Sequence, residues 1–325
     1  MKLSEVGEKS IIANVIRSIF GGGEELLPLN DDSQLYAIQD GVLAITTDRT
    51  PSNLTVRRKG LMGLHAYGRY SVISNLSDLA AIGARPVGYM LNVAAPPDME
   101  LDDFQEVLRG ARDGLAEYGI AVGGGDCKEG TELSLVGVAL GIVDQRRALT
   151  RSNCRPGDDV FISTSRIGHA AAALRLIGSV NDQIVDDPSA MIALEALTNP
   201  SAQIELGRYV SNQTSRAGAI DNTDGIYASL LELSVASNVG FAIEVPIDDV
   251  VLKLAKRIGS SPIELAMGAG GDFSLIIVSS EIRSPEQFGL VHIGRCTESG
   301  IAISGLTPDQ VIRLGVFEHF NQNRV

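Results

Sequence analysis

Aspartates set among glycine, serine, threonine and asparagine are the residues of this chain whose types and spacing could do chemistry. They occur in six short segments: NDD with Asp31 and Asp32, TTD with Asp48, NLSD with Asp78, GGGD with Asp126, DNTDG with Asp221 and Asp224, and AGGD with Asp272. Carboxylates supply the hard oxygen ligands that Mg²⁺ prefers, and Mg²⁺ commonly keeps phosphate groups as co-ligands. Neighbouring glycines let backbone N–H groups approach phosphate oxygens. The pattern therefore favours a site for a metal–nucleotide complex.

Each aspartate taken alone also has a structural explanation. Asx turns, tight turns or helix N-caps would account for Asp40, Asp31, Asp32 and Asp221. Asp224 directly precedes the helix predicted over 225–237, which makes it a candidate N-cap. Asp78 is harder to explain in this way. It lies inside the apolar helical run NLSDLAAIG, where a charge needs a partner or a metal.

Sequence motifs of several other enzyme classes do not occur in the chain. There is no GxxxxGK(S/T) P-loop, no GxGxxG after a predicted strand, no HExxH and no GxSxG. The four histidines are scattered along the chain. The sequence therefore does not favour a nucleophilic triad, a zinc protease or a dinucleotide-binding fold.

Composition narrows the class of protein further. The 325 residues are 44% hydrophobic and 21% charged, which is typical of a globular protein. Acidic residues outnumber basic ones by 40 to 27, so we expect no nucleic-acid partner. No apolar run approaches the ~18 residues that cross a bilayer, and Glu5 and Glu8 interrupt any leader-like stretch. Three widely spaced cysteines predict no disulfide framework, and we expect a cytoplasmic protein.

Hydrophobic periodicity predicts that helices and strands alternate along the chain. A hairpin is predicted at LYAIQDGVLAITTD, with its turn at Asp40-Gly41. Strands are predicted over 87–94, 133–143, 159–164, 241–245, 273–279 and 290–294. Helices are predicted over 8–19, 61–83, 101–119, 167–178, 187–197, 201–212 and 225–237.

A polar segment over residues 145–157 predicts a domain boundary. It contains Pro156-Gly157 and breaks the apolar pattern. We therefore predict an α/β (α+β) protein with an N-terminal domain over 1–149 and a C-terminal domain over 150–325.

The order of the motifs resembles a known superfamily. It contains aminoimidazole ribonucleotide synthetase, selenophosphate synthetase, the hydrogenase maturation dehydratase and thiamine-monophosphate kinase. The order NDD, ITTD, NLSDLAAIGARP, GGGD, LTRSNCRPGDDVFIST, IDNTDG and GGDF is most similar to thiamine-monophosphate kinases, from about residue 5 to about residue 295. The segment NLSDLAAIGA is the most specific part of the match.

The resemblance implies a two-domain fold whose N-terminal sheets pair across a homodimer. It also implies that ATP and several Mg²⁺ ions lie in a cleft between the domains, where in-line phosphoryl transfer takes place. The implied metal ligands are Asp32, Asp48, Asp78, Asp126, Asp221 and Asp224. The implied ATP contacts are Thr47, Gly125, Asp126, Arg151 and Thr223. Asp126, Asp224 and Arg151 would carry catalysis, and the implied contacts to the small acceptor are Thr55, Gly271 and Asp272.

Departures from the family pattern concentrate on the acceptor side. Thr55 stands where these kinases have a histidine, and Gly271 stands where their GGEDYEL segment has a glutamate. Tyr70 replaces a lysine that precedes the NLSD segment, and the first motif reads NDD instead of GDD. The metal and ATP motifs are thus retained, whereas the groups that would recognise thiamine phosphate are changed.

Three functions remain open from the sequence. The first is an ATP- and Mg²⁺-dependent phosphotransferase that acts on thiamine phosphate or a related small acceptor. The second is a synthetase that phosphorylates an amide or carboxylate oxygen and releases phosphate after ring closure or amidine formation. The third is a nucleotide-binding protein without catalysis, and the retained aspartates argue against it because a lapsed site does not need them.

Overall fold

The computed structural model describes residues 34–38, 41–179, 187–268 and 270–314. Asp31, Asp32 and the predicted helix over 8–19 lie outside these residues. No helix within the described ranges is long and apolar enough to cross a membrane.

The described chain alternates between strands and helices. The strands are Gln34–Ile38 (β1), Gly41–Pro51 (β2), Arg85–Ala95 (β3), Val122–Glu129 (β4), Ser134–Val143 (β5), Asp159–Ile162 (β6), Gly218–Asn222 (β7), Gly240–Ile243 (β8), Ser274–Ser279 (β9), Val291–Thr297 (β10) and Ile301–Ile303 (β11). The α-helices are Thr55–Arg58 (α1), Leu64–Ala81 (α2), Leu101–Ala116 (α3), His169–Ser179 (α4), Pro188–Thr198 (α5), Ile204–Gln213 (α6), Ile226–Ser237 (α7), Asp249–Ile258 (α8), Pro262–Met267 (α9) and Pro308–Ile312 (α10).

The first sheet has the strand order β1-β2-β5-β3-β4. Neighbouring strands are antiparallel except for β3 and β4, which are parallel. Along β5, buried residues alternate with half-buried ones, because successive side chains of a strand point to opposite faces. The buried face, which includes Leu135 and Ala139, is covered by α2.

Helix α2 links the two halves of the molecule. It packs against α3, where a Cβ on Gly68 would lie 2.0 Å from the carbonyl oxygen of Val107. It also packs against α6, where a Cβ on Gly207 would lie 2.0 Å from the carbonyl oxygen of Ala80. Glycine at these two contacts permits backbones to approach more closely than any side chain would allow. Because α2 also contacts β7, it reaches the second sheet directly.

The second sheet has the order β11-β8-β10-β6-β9-β7. Every residue of its strand β9 is buried. Leu275 and Ile277 pack into the core under α4, α5 and α8, whereas Ile276 and Val278 pack into the core under α7. Helices therefore cover both faces of this sheet, which explains why β9 reads as a continuous apolar run.

Most of the predicted elements are confirmed, with shifted ends. The predicted hairpin is present, with Ile38 paired to Gly41. The helix predicted over 61–83 is Leu64–Ala81, and Gly83 follows it in a left-handed conformation at φ +74°. The prediction missed β4, β7 and β11 and the helices α1, α8, α9 and α10. Strand β4 lacks an apolar signal because its sequence is VGGGDCKE. Strand β7, with the sequence GAIDN, contains one large apolar residue, and β11 has only three residues.

Candidate active site

Polar side chains occupy the C-terminal half of the largely buried helix α2. Asn75 and Ser77 are fully buried, and Asp78 is half-buried. Buried polar groups need hydrogen-bond partners, and part of this set finds them on β2. The Asn75 Oδ1 atom accepts a hydrogen bond of 2.9 Å from the backbone N–H of Asp48. This contact fixes the β2 backbone at the predicted metal ligand Asp48.

Strand β2 also holds the side chain of Asp78. The Thr46 hydroxyl donates a hydrogen bond of 2.5 Å to Asp78 Oδ2. Thr46 and Asp48 are two residues apart on β2, so their side chains project from the same face of the sheet. Thr46 is buried there but Asp48 is exposed, so this face opens to solvent at Asp48. The prediction that the charge of Asp78 needs a partner is confirmed.

Asp221 connects the second sheet to this group. It lies on β7 and is only 6% exposed, and the Ser77 hydroxyl donates a hydrogen bond of 2.8 Å to its Oδ2 atom. Because Ser77 immediately precedes Asp78, this bond places the Asp221 carboxylate of the second sheet at the turn of α2 that carries Asp78. We call Asp48, Asp78 and Asp221 the α2 aspartate group.

Thr223 and Asp224 follow β7 in a turn that leads into α7. The expectation that Asp224 caps this helix is wrong, because the N-cap residue is Gly225. Gly225 has φ +97°, a conformation that favours glycine, so the turn leaves the Asp224 side chain out of the cap. The Thr223 carbonyl accepts a hydrogen bond of 3.0 Å from the N–H of Gly271. This bond joins the turn after β7 to the segment that precedes β9.

Asp126 and Gly125 lie on β4, at the edge of the first sheet. The Asp126 side chain is 59% exposed, and its Oδ1 atom is 3.6 Å from Lys128 Nζ. In register, Asp126 is paired with the exposed residue Asn92. Strands β5 and β3 separate β4 from β2, so the backbones of β4 and β2 are roughly 14 Å apart at ~4.8 Å per strand. The Asp126 carboxylate is therefore not packed against the α2 aspartate group.

Thr47 also faces away from that group. It alternates with Thr46 and Asp48 on β2, so its side chain projects from the opposite face of the sheet. Its hydroxyl donates a hydrogen bond of 2.7 Å to the Gly137 carbonyl.

Arg151 begins a short 3₁₀ turn over residues 151–153 that packs against β7 and α7. Its guanidinium nitrogen Nη1 is 3.5 Å from Glu232 Oε2 on α7. The Arg151 carbonyl accepts a hydrogen bond of 2.6 Å from the Ser237 hydroxyl, which fixes the backbone of the turn. The turn thus holds a positive charge beside the strand that carries Asp221.

Asp272 is half-buried just before β9. Its Oδ1 atom accepts hydrogen bonds from the Ser274 hydroxyl at 2.7 Å and from the Asn222 amide at 3.2 Å. Burial raises the pKa of the Asp272 carboxyl above its ordinary value, although these hydrogen bonds oppose the shift. The Oδ1 atom of Asn222 is buried and has no hydrogen-bond partner among the described residues.

The departures from the family pattern do not all lie together. Thr55 begins helix α1, which packs against α4. Tyr70 and Gly271 are neighbours, because a Cβ on Gly271 would lie 3.2 Å from the Tyr70 hydroxyl oxygen. The Tyr70 ring also packs edge-to-face on Phe273, with the ring centroids 5.3 Å apart.

The donor chemistry of the α2 aspartate group fits Mg²⁺. Within the described ranges, no three histidine, cysteine, aspartate or glutamate side chains form a preformed metal cage. Mg²⁺ rarely uses an all-protein cage, because it is usually bound by one or two carboxylates together with water and substrate phosphates. The carboxylates of Asp78 and Asp221 beside one turn of α2, and the exposed Asp48 on β2, are therefore suitable ligands for Mg²⁺ that arrives with a nucleotide.

Comparison with known proteins assigns the chain to a family. Residues 30–143 match the family model described as AIR synthase related protein, N-terminal domain. The thiamine-monophosphate kinase of Pyrococcus abyssi (strain GE5 / Orsay) is 32% identical over 264 residues, which cover 80% of each protein. The chain belongs to the thiamine-monophosphate kinase family. The resemblance seen in the motifs and the prediction of a kinase-like phosphotransferase are thereby confirmed.

Solved structures agree with the fold. A thiamine-monophosphate kinase from Stenotrophomonas maltophilia K279a is 26% identical, with a TM-score of 0.73, and the match covers 91% of this chain and 96% of that one. The structure of AaThiL complexed with AMPPCP and TMP is 22% identical, with a TM-score of 0.85, and covers 98% and 99%. The predicted mixed α/β fold of this superfamily is thus confirmed.

Several residues that support the site were not found from the sequence. Thr46, Asn75 and Ser77 position the predicted ligands but are not themselves typical metal ligands. A signal for two of them was present, because Asn75 and Ser77 stand beside Asp78 inside an apolar helix and all three need partners.

Proposed function

We propose that this protein transfers the γ-phosphoryl group of Mg-ATP to the phosphate of thiamine monophosphate. The observation that carries the proposal is the hydrogen bond between Ser77 and Asp221 beside Asp78. It brings the Asp221 carboxylate of the second sheet to the turn of α2 that carries Asp78, in a chain that belongs to the thiamine-monophosphate kinase family. Relatives of this name, and the structure of AaThiL with AMPPCP and TMP, support these two substrates.

Asp48, Asp78 and Asp221 are proposed to hold Mg²⁺, together with Asp224 on the following turn and Asp32 near the N-terminus. When bound, the metal ions would neutralise the triphosphate and align donor and acceptor oxygens. The chain's own residues fix the ligands. Thr46 orients Asp78, Ser77 orients Asp221 and Asn75 fixes the backbone of Asp48.

The protein has little covalent work in such a transfer, because most of the catalysis is positioning and charge stabilisation. Arg151 is proposed to bind ATP phosphates, since an arginine provides two parallel donors to phosphate oxygens. Its turn packs beside β7, the strand that carries Asp221. Gly125, Asp126, Thr47 and Thr223 are proposed to complete the ATP contacts, and Asp126, Asp224 and Arg151 to carry catalysis. On the acceptor side the proposed contacts are Thr55, Gly271 and Asp272.

A homodimer is proposed through the outer face of the first sheet. This face carries apolar side chains that α2 does not cover, among them Val136, Val138, Leu140 and Ile142 on β5, which are half-buried. Met90 on β3 is 45% exposed beside them. A continuous apolar sheet face of this kind is typical of a surface that pairs with another subunit.

A cytoplasmic location is also proposed. All three cysteines are free, and Cys154 and Cys296 are buried. Free thiols in the fold suit a reducing compartment.

The test is a phosphorus NMR assay with purified protein, Mg-ATP and thiamine monophosphate. Production of ADP together with a new diphosphate resonance supports the proposal. Release of inorganic phosphate with no phosphorylated product would instead indicate the synthetase alternative. Intact ATP, with Mg-ATP bound, would reject thiamine monophosphate as the acceptor.

Asp78→Asn provides the matched test of the metal assignment. It should abolish turnover at Mg²⁺ concentrations that saturate the wild type, whereas Asp249→Asn should leave turnover unchanged because Asp249 is exposed on α8. Equal activity in the two variants would argue against a catalytic metal at Asp78.

A further inference from the structure

Tyr70 is a half-buried aromatic residue between the two halves of the molecule, and no step of the proposed reaction uses it. It lies on α2 seven residues before Ser77, roughly 10 Å along the helix at ~1.5 Å per residue. Its ring packs edge-to-face on Phe273, which is 3% exposed and adjoins β9. The Tyr70 ring therefore has a fixed position in contact with the second half of the chain.

The hydroxyl of Tyr70 reaches toward Gly271. The Gly271 N–H is bonded to the Thr223 carbonyl, so the hydroxyl oxygen lies close to the turn that carries Asp224. Burial raises the pKa of Tyr70, and the negative charge of Asp48 raises it further. The phenol thus stays neutral and remains a hydrogen-bond donor at physiological pH.

No residue of the described ranges accepts a hydrogen bond from this hydroxyl. By contrast, the hydroxyl of Tyr67 on α2 and that of Tyr118, just after α3, donate to backbone carbonyls at 2.6 and 3.2 Å. A donor of fixed position that has no acceptor among the described residues is available to a ligand.

Gly271 keeps the space in front of the hydroxyl free. Its φ is +65°, a left-handed conformation that strains any residue with a Cβ. A Cβ at this position would also approach the Tyr70 hydroxyl to 3.2 Å. The tyrosine and the glycine therefore fit one another, and the only polar side-chain atom that this pair offers to a ligand is the phenol.

We propose that the Tyr70 hydroxyl donates a hydrogen bond to the phosphate of the acceptor substrate. This inference rests on the proposed function. The hydroxyl lies beside Gly271, whose N–H is bonded to the Thr223 carbonyl in the turn that carries Asp224. The acceptor phosphate must come close to the proposed metal-binding carboxylates to meet Mg-ATP. An anionic phosphate oxygen is the natural partner for a neutral donor in that position, since the nearby carboxylates are committed to the metal ions.

Calorimetric titration of the wild type and of Tyr70→Phe tests the proposal. The variant retains the ring and its packing on Phe273, so it is expected to fold normally. Thiamine monophosphate should bind to the variant at least tenfold more weakly in the presence of Mg-AMPPCP. The dissociation constants of Mg-AMPPCP and of unphosphorylated thiamine should both change less than twofold.

Tyr209→Phe is the control, because the Tyr209 ring also pairs with a phenylalanine, stacked on Phe288 at 3.6 Å, outside the site. It should leave all three constants unchanged. The proposal would be overturned if Tyr70→Phe binds thiamine monophosphate within twofold of the wild type. It would also be overturned if the variant loses as much affinity for thiamine as for thiamine monophosphate, because the hydroxyl would then contact the organic part of the ligand.

The wild-type titration separates this inference from the proposed function. If the wild type binds and converts thiamine monophosphate while Tyr70→Phe is unaffected, only the role of Tyr70 fails. If the wild type does not bind thiamine monophosphate at all, both the proposed function and the role of Tyr70 are rejected.

Discussion

Replacing Ser77 by alanine removes the hydrogen bond that ties the Asp221 carboxylate to α2. Ser77 is 0% exposed and Asp221 is 6% exposed, so water cannot readily replace the lost donor. A hydrogen bond to a charged group contributes about 1.5–3 kcal/mol, so we expect the free energy of unfolding to fall by that amount. If Asp221 is a metal ligand, loss of its orienting partner should also lower the affinity for Mg²⁺. The Mg²⁺ concentration for half-maximal turnover should then rise by about tenfold or more.

Two measurements check this prediction. Urea unfolding gives the loss of stability, and the Mg²⁺ concentration for half-maximal ATP turnover gives the loss of metal affinity. The control is Ser74→Ala, one turn earlier on α2. Ser74 is also buried, but its hydroxyl donates to the Ser71 carbonyl at 3.1 Å and touches no carboxylate.

The comparison of the two serine variants decides the argument. If Ser77→Ala and Ser74→Ala lose the same stability and need the same Mg²⁺ concentration, the contact with Asp221 does not organise the site. A loss of stability in Ser77→Ala with unchanged Mg²⁺ dependence would leave the contact structural and would argue against Asp221 as a ligand.

Three further outcomes are expected. Asp126→Asn should fold normally, because its side chain is exposed on an edge strand, and it should lose nearly all ATP turnover. Near-wild-type turnover with an unchanged circular dichroism spectrum would show that Asp126 is not part of the site. Gly125→Ala should lower the melting temperature strongly, because its Cβ would lie 1.8 Å from a backbone oxygen of β3, whereas Gly178→Ala, which meets nothing within 4 Å, should not. Asp158→Asn should lower the free energy of unfolding by about 3–5 kcal/mol at neutral pH, because it breaks a buried ion pair with Arg216 at 2.6 Å. Burial raises the pKa of Asp158, but hydrogen bonds from Arg216 and a backbone N–H outweigh burial and hold it below its ordinary value. The ion pair therefore stabilises the fold above about pH 4 and loses its effect at lower pH, so the difference from the wild type in urea unfolding should shrink there.

Local sequence patterns predicted most of the elements correctly where one face of an element is apolar. The amphipathic helix α3 and the alternating strand β5 are examples, because each carries a strong period within its own residues. Strand β4 was missed for the opposite reason. Its VGGGDCKE sequence has no apolar face, and it forms a strand only because β3 offers an edge to pair with.

The sequence by itself determined the kind of chemistry. Aspartates beside glycine and hydroxyl residues indicate oxygen ligands for a metal ion that binds together with phosphate. The absence of a GxxxxGK(S/T) motif excludes a P-loop nucleotide site. Those are properties of residue types and their order, so they need no coordinates.

Only the tertiary structure decided which of these residues meet. Asp78 and Asp221 are far apart in the sequence, and they converge because Ser77 on α2 bonds across to β7. The same packing separates Asp126 from that group, and it brings Tyr70 next to Gly271. Contacts between residues that are distant in the sequence depend on how helices and sheets pack, and a local residue pattern does not contain that information.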